Sequence, residues 1–405
     1  MPANLPRAAL PLLVLVVVTV LVFNPMLEKM RTDTTGDYPT HLRYVQEIQQ
    51  GTRQLPPHPL FHLGTILVAT LIPVLSITQA GLLLILAMYA ISGLMIYRFY
   101  LSNAIRGAIN RPTAWLLSGL TLALMLVSAV TVFTWSARNL YFGYFVGNVY
   151  HNPTIVLLKP LALGLFLYAV GVFSAQGHFH TRGAWAAAFV LTVLCGLAKP
   201  NYLIVLLPTL GLVTVYRLLK NQPVNWPLLL SIALPAVVLL GLQFFMLPRW
   251  TQTAVATNDG KIAFAPLALF RAWGVFDKLI FLRIVMSVLF PIVVYAAYVR
   301  PARRDFSLNL AWLSTMIGIF YTLCFVETGA RLPAGNFGWS AQITIFILFV
   351  VSMSFFLRQI YDLETRRFRL NRTAGLCLAV FALHLISGLL WYATELTTAS
   401  NAHWW

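Results

Sequence analysis

A chain of 405 residues that is 59% apolar and 10% charged, with a mean hydropathy of +0.79, excludes a soluble enzyme, a DNA-binding protein and a disordered scaffold. The 28 Lys and Arg outnumber the 11 Asp and Glu and leave a net charge of +17, yet no RNA- or DNA-binding motif accompanies the excess, so nucleic acid is not an expected partner. The charges fall in short clusters between apolar runs of helical length, the pattern of a polytopic membrane chain whose cations fix its orientation.

The first apolar run, residues 8–25, follows Arg7 and lacks a small-x-small cleavage site, which predicts a retained helix that also directs insertion. Further runs near 79–99, 113–134, 154–175, 184–199, 202–218, 226–246, 280–299, 309–327, 341–360 and 374–392 are the expected crossings of about 30 Å of hydrocarbon. Residues 60–77 are ambiguous, because a crossing there would move every later basic connection outside. If they do not cross and the N-terminus is cytoplasmic, 15 of the Lys and Arg lie on short cytoplasmic connections and 11 on the longer outer loops. The expectation is an all-α fold: a single transmembrane domain over 1–405 with about eleven spanning helices, a shallow or re-entrant helix at 60–77 and an external C-terminus. Cys195, Cys324 and Cys377 lie inside apolar runs and predict no disulfide or metal framework. The outer side receives two long loops, 26–78 and 247–279, and two of medium length, 135–153 and 328–340, so chemistry is expected there.

In the first outer loop, Asp37 follows a glycine, and residues 38–50 carry Leu42, Val45 and Ile48 at helical spacing. Asp37 then stands at or near the helix N-terminus with His41 one turn later on the same side. Either the pair accepts a proton from a hydroxyl and positions a substrate, or Asp37 caps the helix and His41 lies on its wet face. Two prolines, Pro56 and Pro57, then stop the helix, and His58 and His62 follow at i and i+4. A third metal ligand at suitable spacing is not evident, so a divalent metal is not indicated and contact with substrate or headgroup is the preferred role.

A cytoplasmic N-terminus, one helix, and a long outer loop holding Gly-Asp-x-x-x-His and Pro-Pro-x-Pro-Leu-x-His before a shallow second helix resembles the GT-C glycosyltransferases. In layout the resemblance covers roughly residues 1–220, leaving 221–405 as C-terminal helices with outer loops 247–279 and 328–340. Its specific motif covers residues 36–62. It implies a polytopic enzyme using a polyprenyl-phosphate-linked sugar, with the catalytic acid of the first outer loop falling on Asp37 and Asp33 as the alternative. The chain has no adjacent Asp-x-Asp, which departs from metal-dependent variants.

The second outer loop holds Arg138, His151 and Asn152 among aromatic residues that suit sugar recognition or an interfacial aromatic belt. His151-Asn152 precedes a helix, where anions are favoured. Lys159, Lys199, Arg283 and Arg331 stand where charge is expensive; Lys159 and Arg283 reach an interior partner or snorkel to the interface. Lys199, with Pro200 and Asn201, breaks a helical hairpin on the outer side and is placed to hold a lipid phosphate. The turn from Glu327 to Trp339 offers either a structural Glu327–Arg331 pair or a donor site of Arg331, Asn336 and Trp339. Residues 249–278 carry Arg249, Lys261, Arg271 and Lys278 around an apolar stretch that suits an interfacial helix attracted to anionic membrane lipids.

These features lead to an expected inverting glycosyltransferase of the bacterial inner membrane, facing outward, with a polyprenyl-phosphate sugar donor and a glycan, lipid or protein acceptor. A flippase or transporter of a lipid-linked saccharide, or a ligase or polymerase of surface polysaccharide, would use similar loops.

Overall fold

The structure is a computed structural model and describes residues 5–33, 36–105, 109–131, 143–252, 261–274 and 279–398, with the side chains of 5–7 and 247–252 excepted. In chain order come α1 (Leu5–Thr32), α2 (Asp37–Gln49), α3 (Leu60–Leu71), α4 (Ile77–Tyr100), α5 (Arg111–Leu126), α6 (Pro153–Gly171), α7 (Arg182–Ala198), α8 (Asn201–Leu219) and α9 (Trp226–Gln252). They are followed by β1 (Ile262–Phe264), α10 (Ala268–Ala272), α11 (Ile280–Ser287), α12 (Leu289–Ala297), α13 (Val299–Ala302), α14 (Phe306–Cys324), β2 (Phe325–Glu327), α15 (Gly338–Ile360), β3 (Tyr361–Asp362), β4 (Arg367–Phe368) and α16 (Arg372–Thr397).

The protein is an all-α polytopic membrane chain. Among the described residues, α1, α4, α6, α8, α9, α14, α15 and α16 are long and apolar enough to cross a bilayer; the bent pair α11–α12 would make a ninth. Buried along almost its whole length, α15 is the central helix, with α14 packed along it. That fits its sequence, apolar on every side between Ile343 and Leu357.

Three of the expected runs take other forms. The run 184–199 falls in α7, Arg182–Ala198, a helix of 17 residues, about 26 Å long, with Lys199 as its C-cap. The run 113–134 is helical only to Leu126 and then extends through residues 127–131. Val127, Val130 and Thr131 are β-branched and favour extension, but bare backbone at membrane depth needs partners inside the protein. α16 and the α11–α12 bend supply them. The Ser128 N–H donates to the His384 carbonyl at 3.1 Å and the Val130 N–H to the Met286 carbonyl at 3.1 Å. His384 accepts the Phe290 N–H on Nε2 at 3.1 Å, so Nδ1 carries the proton and donates to the Ser128 carbonyl at 2.6 Å.

The third run, 280–299, breaks at Val288 with a bend of 66°. Pro291 lacks the N–H that would donate to Ser287, and its ring crowds that carbonyl. The bend frees the Phe290 N–H and the Met286 carbonyl for the two contacts just described. α3 stops after 12 residues, about 18 Å, well short of the hydrocarbon thickness.

In the loop after α9, Ile262, Ala263 and Phe264 pair antiparallel with Glu327, Val326 and Phe325. Instead of one long interfacial helix, this loop holds β1 and the five-residue α10, which Gly274 ends with φ +69°. The β1–β2 ribbon lies at the site end of α14. At its other end the Asp305 carboxylate accepts from Arg358 near the end of α15, beside the β3–β4 hairpin.

Candidate functional site

α2 buries Tyr38, Leu42 and Val45, one face of a helical repeat, and this turns Asp37 and His41 along its flank. Gly36 is the N-cap and Asp37 the first helical residue, so the Asp37 carboxylate is not spent on capping. It accepts instead from the Asn152 amide at 2.5 Å, and the Asp37 N–H donates to the His151 carbonyl at 3.2 Å. Asn152 is the N-cap of α6. Its Oδ1 accepts from the Thr154 N–H at 3.0 Å, the Ile155 N–H at 3.2 Å and the Thr154 hydroxyl at 2.7 Å.

Thr154 carries the connection onward. Its hydroxyl accepts from Lys199 Nζ at 3.1 Å, and that ammonium lies 4.5 Å from the centre of the Trp339 ring. The His151 and Trp339 ring centres are 5.7 Å apart. A chain of contacts therefore runs from Asp37 through Asn152 and Thr154 to Lys199. Asp33, the alternative acid, pairs with Lys29 at 2.9 Å on the last turn of α1.

Lys199 and Arg331 line a common cavity of about 220 Å³, together with His58, Asn201, Glu327 and Asn336. Ile204, Leu240, Phe244 and Phe337 form its apolar wall. Glu327 accepts from Arg331 Nε at 3.0 Å and from the Asn336 amide at 2.5 Å, so the turn is internally braced while lining the cavity. Asn201 donates to the Asn336 carbonyl at 2.8 Å and to the Ser340 hydroxyl at 3.2 Å, tying the break after α7 to the start of α15. The loop 328–340 and the α7–α8 break thus meet although they are well over a hundred residues apart.

His41 Nδ1 and His62 Nε2 share a hydrogen bond of 3.1 Å. His62 turns toward His41 while His58 faces the cavity, so the i, i+4 pair is divided between two surroundings. Arg138 and Lys278 lie outside the described residues, as does the Arg249 side chain. Lys159 is an interior strut: its ammonium donates to Asn148 Oδ1 at 2.8 Å, and the Asn148 amide donates to the Leu124 and Val127 carbonyls where α5 ends. Arg283 is buried on α11.

Two contributors were not singled out in the sequence. Thr154 bridges Asn152 to Lys199, and its position two residues after an N-cap Asn was the available signal. Gln243 on α9 donates to the Pro57 carbonyl at 2.8 Å and the Gly196 carbonyl at 2.7 Å, and its Oε1 has no partner among the described residues. As a lone amide in an apolar run it was the kind of residue that marks an interior site.

Burial sets the charge state of these groups. It lowers His41 to about 3, with His62, His58 and Lys199 adding to the effect and the Asp37 carboxylate opposing it. Burial likewise lowers His58 to about 3, aided by Lys199, His62 and Arg331, and lowers His62 to about 4, aided by Arg53. All three imidazoles are neutral at pH 7. Because the unfolded chain would bind protons near the ordinary value of 6.5, the folded state holds fewer protons below that pH. Stability should therefore fall as the pH drops from about 6.5 towards 4, read as a declining thermal midpoint; replacing His41 and His62 by Gln should flatten that decline.

Burial also lowers Lys199, to about 8, with Asp37 holding it up. Any anion gripped by Lys199 should bind fully at pH 7 and weaken as the pH rises through about 8. Lys199→Arg, whose guanidinium stays charged, should remove that limb from a titration of anion affinity.

Comparisons with protein-family models, curated proteins and solved structures find no match to this chain. The fold and geometry define a class: a helical, multi-pass membrane protein with a partly buried polar site at one end of its bundle. Among the described residues, no three His, Cys, Asp or Glu side chains are grouped to hold a metal ion.

Proposed function

We propose that this chain is a GT-C-like glycosyltransferase of about eleven crossings, the three shorter or bent runs included, working at the outer face of a bacterial inner membrane. Its donor is a sugar carried on a polyprenyl phosphate. The observation that carries this reading is the contact chain from the Asp37 carboxylate to Lys199, which lines one cavity with Arg331. A carboxylate that can take a proton is linked through two side chains to Lys199, which together with Arg331 offers a phosphate two cations, and the cavity has an apolar wall for a lipid chain.

In the reaction, an acceptor hydroxyl attacks the anomeric carbon while Asp37 takes its proton. The bond from that carbon to the phosphate oxygen breaks, and the electron pair leaves with the phosphate. Lys199 and Arg331 neutralise the charge that grows there. In-line displacement inverts the anomeric centre. Asn152 positions the carboxylate, Trp339 and Asn336 contact the sugar, and His58 and Asn201 complete the polar wall.

The test uses purified protein in vesicles carrying a radiolabelled polyprenyl-phosphate sugar, supplied with hydroxyl acceptors. A new glycosidic bond of inverted configuration is the expected product. Label that only changes leaflet, with no bond formed, would sink the reading and favour a flippase.

A further inference from the structure

At the far end of the bundle from Asp37, a second groove of about 480 Å³ is lined by Ile292, Tyr295, Ala296, Val299, Asn309 and Trp312, where α12 and α14 face each other. Its walls are mostly apolar. The Tyr295 and Trp312 rings meet edge to face with centres 6.3 Å apart, and Tyr295 donates to Asn309 Oδ1 at 3.0 Å. The Asn309 amide donates to the carbonyls of Ala302, Arg303 and Asp305, which fixes the corner above the groove.

That corner is positively charged. Arg300, Arg303 and Arg304 are exposed, and among the described residues none of them pairs with a carboxylate. Asp305, the neighbouring acid, is occupied: it accepts from Arg358 and caps α14 through the Leu308 N–H at 2.8 Å. Farther along α14, Met316 and Phe320 are exposed and continue the apolar strip towards the middle of the bundle. A ligand matching this surface has an anionic head and an apolar chain lying along the helices.

We propose that this corner is a binding site for one anionic phospholipid of the leaflet opposite the Asp37 site. Its phosphate sits among Arg300, Arg303 and Arg304, and an acyl chain lies in the groove that Tyr295 and Trp312 line. The site does not depend on glycosyl transfer and stands or falls separately from it.

The test is native mass spectrometry of the full chain in detergent, offered phosphatidylglycerol or phosphatidylethanolamine. The wild type should retain phosphatidylglycerol preferentially. R300Q/R303Q/R304Q should lower that preference by about fivefold for each arginine removed. A296W, which leaves every charge in place and fills the groove, should also lower retention. Because the whole chain is basic, R366Q/R367Q on the β3–β4 hairpin serves as the control and should retain the lipid as the wild type does. Unchanged preference in the triple variant, wild-type retention in A296W, or equal loss in the hairpin control would each overturn the site. Displacement by millimolar inorganic phosphate would do so too, since it would mark an anion patch with no lipid groove.

Discussion

Asp37→Asn should lower the proposed glycosyl transfer by about 10²–10⁴, the usual worth of a general base, while the affinity for the proposed donor changes little. The substitution keeps the shape of the side chain and an oxygen able to accept from Asn152, so the 2.5 Å contact has a successor. What disappears is the ability to hold a proton. Lys199 and Arg331 still line the cavity, where the proposed donor's phosphate would still meet both cations. One secondary effect is expected, because the Asp37 carboxylate holds the Lys199 proton against burial. In the Asn variant, donor affinity should begin to weaken at a lower pH than in the wild type. Single-turnover assays with labelled donor and calorimetric titration of the same protein separate the two quantities. Full activity in the variant would assign the base elsewhere, and the Lys29–Asp33 pair would be the next to examine.

Gly388→Ala should be among the most destabilising single-methyl changes in the molecule. A Cβ at this position would lie 1.9 Å from the Leu126 carbonyl oxygen and 2.9 Å from the Ser128 nitrogen. Both are backbone atoms at the junction where α5 passes into the extended segment beside α16, so no flexible side chain can yield. Overpacking in a core costs about 1–3 kcal/mol and occasionally more; here it also parts the Ser128–His384 hydrogen bonds, leaving polar backbone without partners at membrane depth. A thermal unfolding scan in detergent should show a clearly lower midpoint and reduced recovery of monodisperse protein. Gly375, on the same helix with nothing within 4 Å of its Cβ position, is the matched control: Gly375→Ala should leave the midpoint unchanged or slightly higher. Equal behaviour of the two variants would mean that α16 does not approach the extended segment this closely.

Helix α2 shows what could be read in advance. Gly36 and the spacing of Leu42 and Val45 announced α2, and the structure begins it at Asp37. The role of the carboxylate was not legible at that level, because capping and catalysis use the same residue type at the same place. In the structure the carboxylate accepts from Asn152, 115 positions away, and does not cap the helix. The run 113–134 shows the opposite limit: a continuous apolar stretch fits a buried helix or a buried extended segment equally well. The partners that make the second form tolerable, His384 and Met286, lie far along the chain. Pro291 lies inside the run 280–299, which was expected as one crossing, and the break there was not read from it. Nor was its consequence, a freed Phe290 N–H that meets His384.

Taken alone, the order of amino acids determined the class of this protein, a helical membrane chain, along with most helix positions and the loops rich in acids, imidazoles and cations. These follow from hydropathy and from periodicity within a window of some twenty residues, where burial and backbone pairing are local matters. Only the tertiary structure decided which of those polar residues share a space. The Asp37–Asn152–Thr154–Lys199 chain and the cavity between Lys199 and Arg331 come from helices meeting end to end across long stretches of sequence. Such meetings depend on how whole faces pack, and no local pattern records them.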